Sequence, residues 1–371
     1  MVTFAPVEKK IIFLGVMLLS FLFLKGQEKG GSSYFLEASY HYGSLLVTNK
    51  NIAHLQRNQP EGVLLSFSKK TNGGKYWQTV YGYPDWGVSL GIQDYKSEVL
   101  DKSIIAYGHV NFYFFNRNLQ FKVAQGIGVT TAPFSYEENF KNNAYGSRVI
   151  ASTFLGLYYQ KKNLYKGFGL QAGVSVIHHS NGALKAPNSG TNVLAASLGL
   201  NYNFDTEEPE YKTLPPPRTF IEPIKLNLFF RTGINEGETV GLGQEPFLVL
   251  GAFADKRLSF TSSVQLGTEI FFSKFLKNEI EYQAVSFFDP EVAGTDYKRV
   301  AVFGGYELHI SKFSIPVQIG YYVYRPFEYE LPFYERIGLK YYVKNNLYAT
   351  FAIKAHAVNA EAIEFGAGIR L

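Results

Sequence analysis

From about residue 33 to the C-terminus, apolar residues recur at every second position, one segment after another. Between Leu170 and Ser180, Leu170, Ala172, Val174 and Val176 share one parity, and Gln171, Gly173 and Ser175 share the other. Phe313, Ile315, Val317, Ile319, Tyr321 and Val323 alternate with Ser314, Gln318 and Gly320. Ile363, Phe365, Ala367, Ile369 and Leu371 alternate with Glu364, Gly366, Gly368 and Arg370. Successive side chains of a β-strand point to opposite faces, so each segment is a strand with one apolar and one polar face. About eight such segments precede residue 205 and about eight follow it, each about ten residues long, the density of a transmembrane barrel.

The connections support that reading. Asn116-Arg117-Asn118, Asp255-Lys256 and Lys344-Asn345-Asn346 read as short turns, whereas Gly43–Pro60, Ala132–Ser147 and Ser273–Arg299 are long. Short turns on one side and long loops on the other are the habit of outer-membrane barrels. A soluble sandwich or propeller is the competing all-β reading. Composition agrees with the barrel. Charged residues make up 18% of the chain, against about 25% in soluble domains. A surplus of 32 Phe and 27 Tyr suits the aromatic girdles at a membrane interface. The absence of Cys excludes disulfides, thiolate metal sites and a Cys nucleophile. A formal charge of +5, spread along the chain, does not point to nucleic acid.

Lys9 and Lys10 precede the apolar run Ile11–Leu24, which ends at Lys25-Gly26. This run is too short to span a bilayer as a helix, which takes about 20 residues, and it has the layout of a secretory signal peptide. Residues 1–26 are therefore read as an export signal, and the mature chain is expected in the outer membrane. The acidic and then Pro-rich segment 205–223, DTEEPEYKTLPPPRTFIEP, separates a first barrel half, 27–204, from a second, 224–371. Three consecutive prolines donate no ladder hydrogen bonds. The strand count allows one barrel of about sixteen strands with an aqueous channel or two of about eight with filled lumens. The linker favours two. Gly156-Leu157-Tyr158-Tyr159 is weakly echoed by Gly338-Leu339 and Tyr341-Tyr342, as duplication or a shared membrane-strand vocabulary would produce.

The chemistry gathers at one hairpin. His178 and Ser180 continue the apolar, lipid-facing parity of Leu170 to Val176. Alternate residues of a strand are about 6–7 Å apart, within reach of an imidazole for a serine hydroxyl. Polar groups on a lipid face are costly unless they have a task. Asn192 opens the next strand with lipid-facing parity and can fix the His178 tautomer. Asn181 and Gly182 follow the serine, where an oxyanion or a bound substrate would be met. Spacing alone equally allows a loop start with polar residues at headgroup level. His356 shares a parity with Lys354 and Glu364 and reads as part of a lumen ion-pair network. Glu328 and Glu330 are too close in sequence to form a metal site by themselves.

The signature His178-x-Ser180-Asn181, followed by Pro187-Asn188-x-Gly190, resembles the outer-membrane lipid A 3-O-deacylases (the PagL-like family, with related chains called acyloxyacyl hydrolases) over about Ser33–Phe204. The resemblance implies an eight-stranded barrel with Ser180 as nucleophile, His178 as general base and Asn181 near the oxyanion. It implies an ester-linked acyl chain of lipid A in the outer leaflet as substrate, with no metal or organic cofactor and no nucleic acid. The family's acid, a Glu, is replaced here by Asn192, which orients an imidazole but lends no charge. The expectation is an all-β, antiparallel transmembrane barrel protein that hydrolyses acyl esters. A non-catalytic barrel, porin-like or structural, is the alternative.

Overall fold

The computed structural model describes residues 33–48, 50–205, 209–215, 221–344, 346–357 and 359–371. The expected export signal, 1–26, lies outside the described residues, as do parts of the linker and Asn345 and Val358.

The alternating segments fold into sixteen antiparallel strands that close as two separate barrels of eight. The first runs from β1 (Tyr34–Leu46) to β8 (Thr191–Asn203), and these two strands pair from Phe35↔Asn203 to Leu46↔Asn192 to shut the cylinder. The second runs from β9 (Lys225–Asn235) to β16 (Asn359–Arg370), which pair from Phe365↔Thr232 to Arg370↔Asn227. Closure within each half removes every strand edge. A single sixteen-stranded barrel, left open by the sequence, is therefore not formed.

Parity decides the two faces as expected. Along β7 (Phe168–Ser180), Leu170, Val174 and Val176 are exposed on the outside, while Gln171, Ser175 and His179 are buried inside. On β13 (Phe313–Tyr324), Val317, Ile319 and Tyr321 face out while Ser314, Gln318 and Tyr322 face in. Both barrels thus carry an apolar outer wall.

The lumens are filled with side chains. In the first barrel Lys122 Nζ lies 2.7 Å from Glu37 Oε2 and 2.8 Å from Ser66 Oγ, beside Tyr107, Phe154 and Tyr158. In the second, Arg231 and Arg336 reach Glu269 at 2.7 and 2.8 Å, and Arg336 Nε lies 2.7 Å from Glu364. Phe229, Phe253, Phe271, Phe303 and Tyr334 pack around that network. Small residues opposite the rings make room: a Cβ on Gly320 would stand 2.1 Å from the Tyr334 ring. Charges taken from water must be paired, and here they are paired many times over.

Most long loops lie at one end of each barrel and most short turns at the other, the connection 70–84 being a long one at the short-turn end. The long-loop end holds connections 47–60, 131–148 and 274–298, the last carrying a helix, α2 (Phe275–Ser286). One turn moves: Asp255 and Lys256 belong to β10 (Glu245–Arg257), and the chain reverses over 258–261 instead. Asp255 is a lumen residue, held by Arg370 at 2.6 Å, so its charge is satisfied inside the barrel rather than at a turn. The linker lies at the short-turn end and docks on a connection containing α1 (Tyr76–Val80). Lys212 N–H donates to Asn72 O at 2.8 Å and the Tyr211 ring packs against Tyr83.

Candidate active site

The two strands that carry the candidate residues are neighbours, and their register sets His178 directly opposite Asn192. Both side chains stand on the outer face, at the long-loop end. His178 Nδ1 lies 2.9 Å from Asn192 Oδ1. An amide oxygen only accepts, so Nδ1 carries the proton and Nε2 of the neutral ring keeps its lone pair. The amide is held in that sense by Thr48, whose Oγ1 accepts from Asn192 Nδ2 at 3.1 Å. Thr48 sits beyond the end of β1, and nothing in its sequence context marks it for this task.

Ser180, the last residue of β7, is buried, and no hydrogen bond joins it to His178 among the described residues. The two side chains converge on Gly190. A Cβ there would lie 3.3 Å from Ser180 Cβ and 3.4 Å from His178 Cε1. Gly190 also has φ of +62°, a left-handed backbone that glycine adopts without steric cost.

Behind this outer face the lumen side of the same strands is tied down. Tyr95 OH lies 2.9 Å from His179 Nδ1, 2.9 Å from Tyr145 OH and 2.7 Å from Thr191 Oγ1. Burial pushes the Tyr95 phenol up to about 12, so this buttress is neutral at physiological pH. His179 and Thr191 face each other across the ladder one position further along than His178 and Asn192. The inner knot therefore fixes the backbone from which the outer pair projects.

The connection 181–190 shapes the far side of the site. Asn181 N–H donates to Asn188 Oδ1 at 2.8 Å, and its side-chain Nδ2 donates to Lys185 O at 2.6 Å. The Asn181 backbone N–H and one N–H of its side-chain amide are thus engaged in holding the loop. Gly182 N–H has no acceptor among the described residues. Gly182 and Ala183 both adopt positive φ, +62° and +60°. The second barrel meets the loop here: Ala186 N–H donates to Glu236 Oε2 at 2.9 Å and Glu236 N–H donates to Ala183 O at 3.0 Å.

At the mouth of the second barrel, ligand atoms of Glu330, His356 and Glu361 lie within 4.8 Å of one another. Sequence spacing missed this group, because Glu330 comes from a loop distant from the hairpin that carries His356 and Glu361. Two cations already occupy its carboxylates: Arg299 lies 3.4 Å from Glu361 and also pairs with Glu330, and Lys354 pairs with Glu361. Burial pushes the Glu330 carboxyl up to about 7, against the pull of Arg299. A divalent ion would meet those two positive charges at close range, so the group is an ion-pair network of the kind expected for His356.

A family model described as lipid A 3-O-deacylase (PagL) matches residues 61–201, and one described as acyloxyacyl hydrolase, C-terminal domain, matches 224–371. No curated protein matches. Solved structures of Rhodopseudomonas blastica porin variants align over 92% of this chain and 100% of theirs, with 8–9% identity and TM-scores of 0.18–0.19. Overlap that weak carries no argument about function. With one family model on each barrel, the chain belongs to the PagL-like family of lipid A 3-O-deacylases and acyloxyacyl hydrolases.

Proposed function

We propose that this chain is an outer-membrane hydrolase that removes an ester-linked acyl chain from lipid A, using Ser180 as nucleophile and His178 as general base. In this reading residues 1–26 direct export, 27–204 form the catalytic barrel, 205–223 link it to the second barrel, and 224–371 complete the molecule. The apolar outer wall faces lipid, and the substrate reaches the site sideways from the outer leaflet. The observation that carries the reading is the His178 Nδ1 to Asn192 Oδ1 hydrogen bond of 2.9 Å. It leaves the basic nitrogen free on the face where an acyl chain would lie.

Ser180 Oγ adds to the ester carbonyl carbon as its proton passes to His178 Nε2. The carbonyl oxygen becomes an oxyanion, and the Gly182 N–H, two residues after Ser180 and without an acceptor among the described residues, is the candidate donor to meet it. Collapse of the adduct breaks the bond to the sugar oxygen, which takes the proton back from His178. Water, deprotonated by the same nitrogen, then adds to the acyl-Ser180 ester, and collapse breaks the acyl–Oγ bond, releasing the fatty acid as Ser180 Oγ takes the proton back from His178. Asn192 orients the ring but lends no charge to the imidazolium, so the neutral amide supplies less stabilisation than a carboxylate.

Mass spectrometry of lipid A incubated with the purified protein should show loss of one ester-linked acyl chain. Ser180→Ala should abolish that loss, with the variant still folded as a barrel. Undiminished deacylation by the Ser180→Ala protein would sink the serine assignment.

A further inference from the structure

The second barrel has no role in the chemistry as drawn, yet it grips the connection that follows Ser180. Residues 187–190 are bound within the first barrel: Gly146 N–H donates to Pro187 O at 2.6 Å, Ser189 N–H to Asn143 O at 3.1 Å and Gly190 N–H to Ala144 O at 3.1 Å. Residues 182–186 are held from the other barrel. Glu236 N–H reaches Ala183 O at 3.0 Å, Glu236 Oε2 accepts from Ala186 N–H at 2.9 Å, and Gln244 Nε2 donates to Leu184 O at 2.7 Å. A Cβ on Gly182 would stand 2.5 Å from Ile363 of β16, so the loop is pressed directly against the second wall.

Glu236 is well suited to this clamp. It is buried, and its other oxygen accepts from Gly241 and Gly243 N–H at 3.3 and 3.1 Å. The carboxylate is thus fixed by its own loop before it meets the first barrel. What it secures is a strained backbone, since Ala183 is not glycine and yet holds φ of +60°. Such a conformation persists where its surroundings over-determine it, and here part of the surroundings belongs to the other barrel.

Building on the deacylase reading, we infer that the second barrel is a positioning module for the catalytic loop, and that Glu236 is its positioning residue. It holds Gly182 and Ala183 in the left-handed turn that follows Ser180 and Asn181. A misplacement of about 1 Å in a reacting group can cost about a hundredfold in rate.

The test uses the full chain in detergent micelles and reads two quantities, amide hydrogen exchange over residues 182–186 and lipid A deacylation kinetics. Glu236→Ala should speed exchange at Ala186 and lower kcat by about tenfold or more, with KM within about twofold. Glu236→Gln keeps one acceptor oxygen and should recover part of the rate. Unchanged exchange, or faster exchange with unchanged kcat, would overturn the inference. If Glu236→Ala loses the heat-modifiable gel mobility of a folded barrel, Gln244→Ala carries the test. It removes one contact to Leu184 O and should move both readouts the same way by a smaller factor; no movement in either overturns the inference. A wild-type protein that leaves lipid A intact would defeat the deacylase reading instead, and the exchange measurement would still decide whether the clamp holds the loop.

Discussion

Asn192 is the partner of His178 in the structure, and the geometry tells how an amide serves there. Replacing the acid of a Ser-His-Asp triad by an amide costs about 10⁴ in kcat because the histidine takes the wrong tautomer. Here Thr48 holds the amide so that its oxygen, not its nitrogen, faces His178. The tautomer is therefore right and only the charge is missing. Thr48→Val removes the acceptor for Asn192 Nδ2 and frees the amide to flip, so kcat should drop by about tenfold while the barrel melts at the same temperature. Asn192→Ala removes the orienting partner outright and should cost about tenfold to a hundredfold. Steady-state kinetics on lipid A micelles distinguish both from wild type, and full activity in Asn192→Ala would remove the amide from the machinery. Gly190 is equally constrained. Gly190→Ala must place a methyl 2.9 Å from His179 O in a left-handed backbone, beside both reacting side chains. It should lose activity more than stability.

Strands seven and eight of each barrel occupy equivalent places, and their comparison explains why only one hairpin presents its histidine outward. β15 (Leu347–His356) ends in His356, as β7 ends close to His178. Its parity is opposite, since His356 is buried in the lumen against Tyr322 at 3.1 Å, whereas His178 faces out. One residue of offset turns a strand side chain to the other face. The weak echo between Gly156 and Gly338 falls on the sixth strand of each barrel, β6 (Val149–Tyr165) and β14 (Phe333–Tyr342). At this scale stability rests on buried pairs that span the lumen. Lys122→Met leaves Glu37 without its cation, and loss of one partner of a buried pair costs about 3–5 kcal/mol. Urea or heat unfolding in micelles should show that loss in the first barrel, and a change below about 1 kcal/mol would contradict the role given to the pair.

Two closed barrels with filled lumens are a poor basis for a channel. An eight-stranded barrel is just wide enough for its own side chains, whereas porins need about sixteen strands to leave water inside. The protein reconstituted in planar bilayers should therefore be electrically silent under conditions in which it deacylates lipid A. Stepwise conductance of porin size would refute the packed lumens of both halves. The two barrels meet at the long-loop end through the 181–190 connection and at the short-turn end through Tyr81, whose hydroxyl donates to His309 O at 3.2 Å.

Strand parity, strand number and the outward placement of His178 and Asn192 could be read directly from residue order, whereas Ser180, at the very end of β7, is buried. Period-two alternation is a local property, and a strand cannot change which face a residue takes without slipping register. The Asp255-Lys256 turn was misread because a paired lumen charge and a turn charge look alike in sequence. Whether sixteen strands close once or twice depends on which strands pair across the Pro-rich segment, and pairing between distant strands leaves no local trace. The same holds for Thr48, Glu236 and Ile363, which reach the β7–β8 hairpin from distant segments. Local alternation determined the walls; tertiary closure alone decided that there are two barrels and that one grips the 181–190 connection of the other.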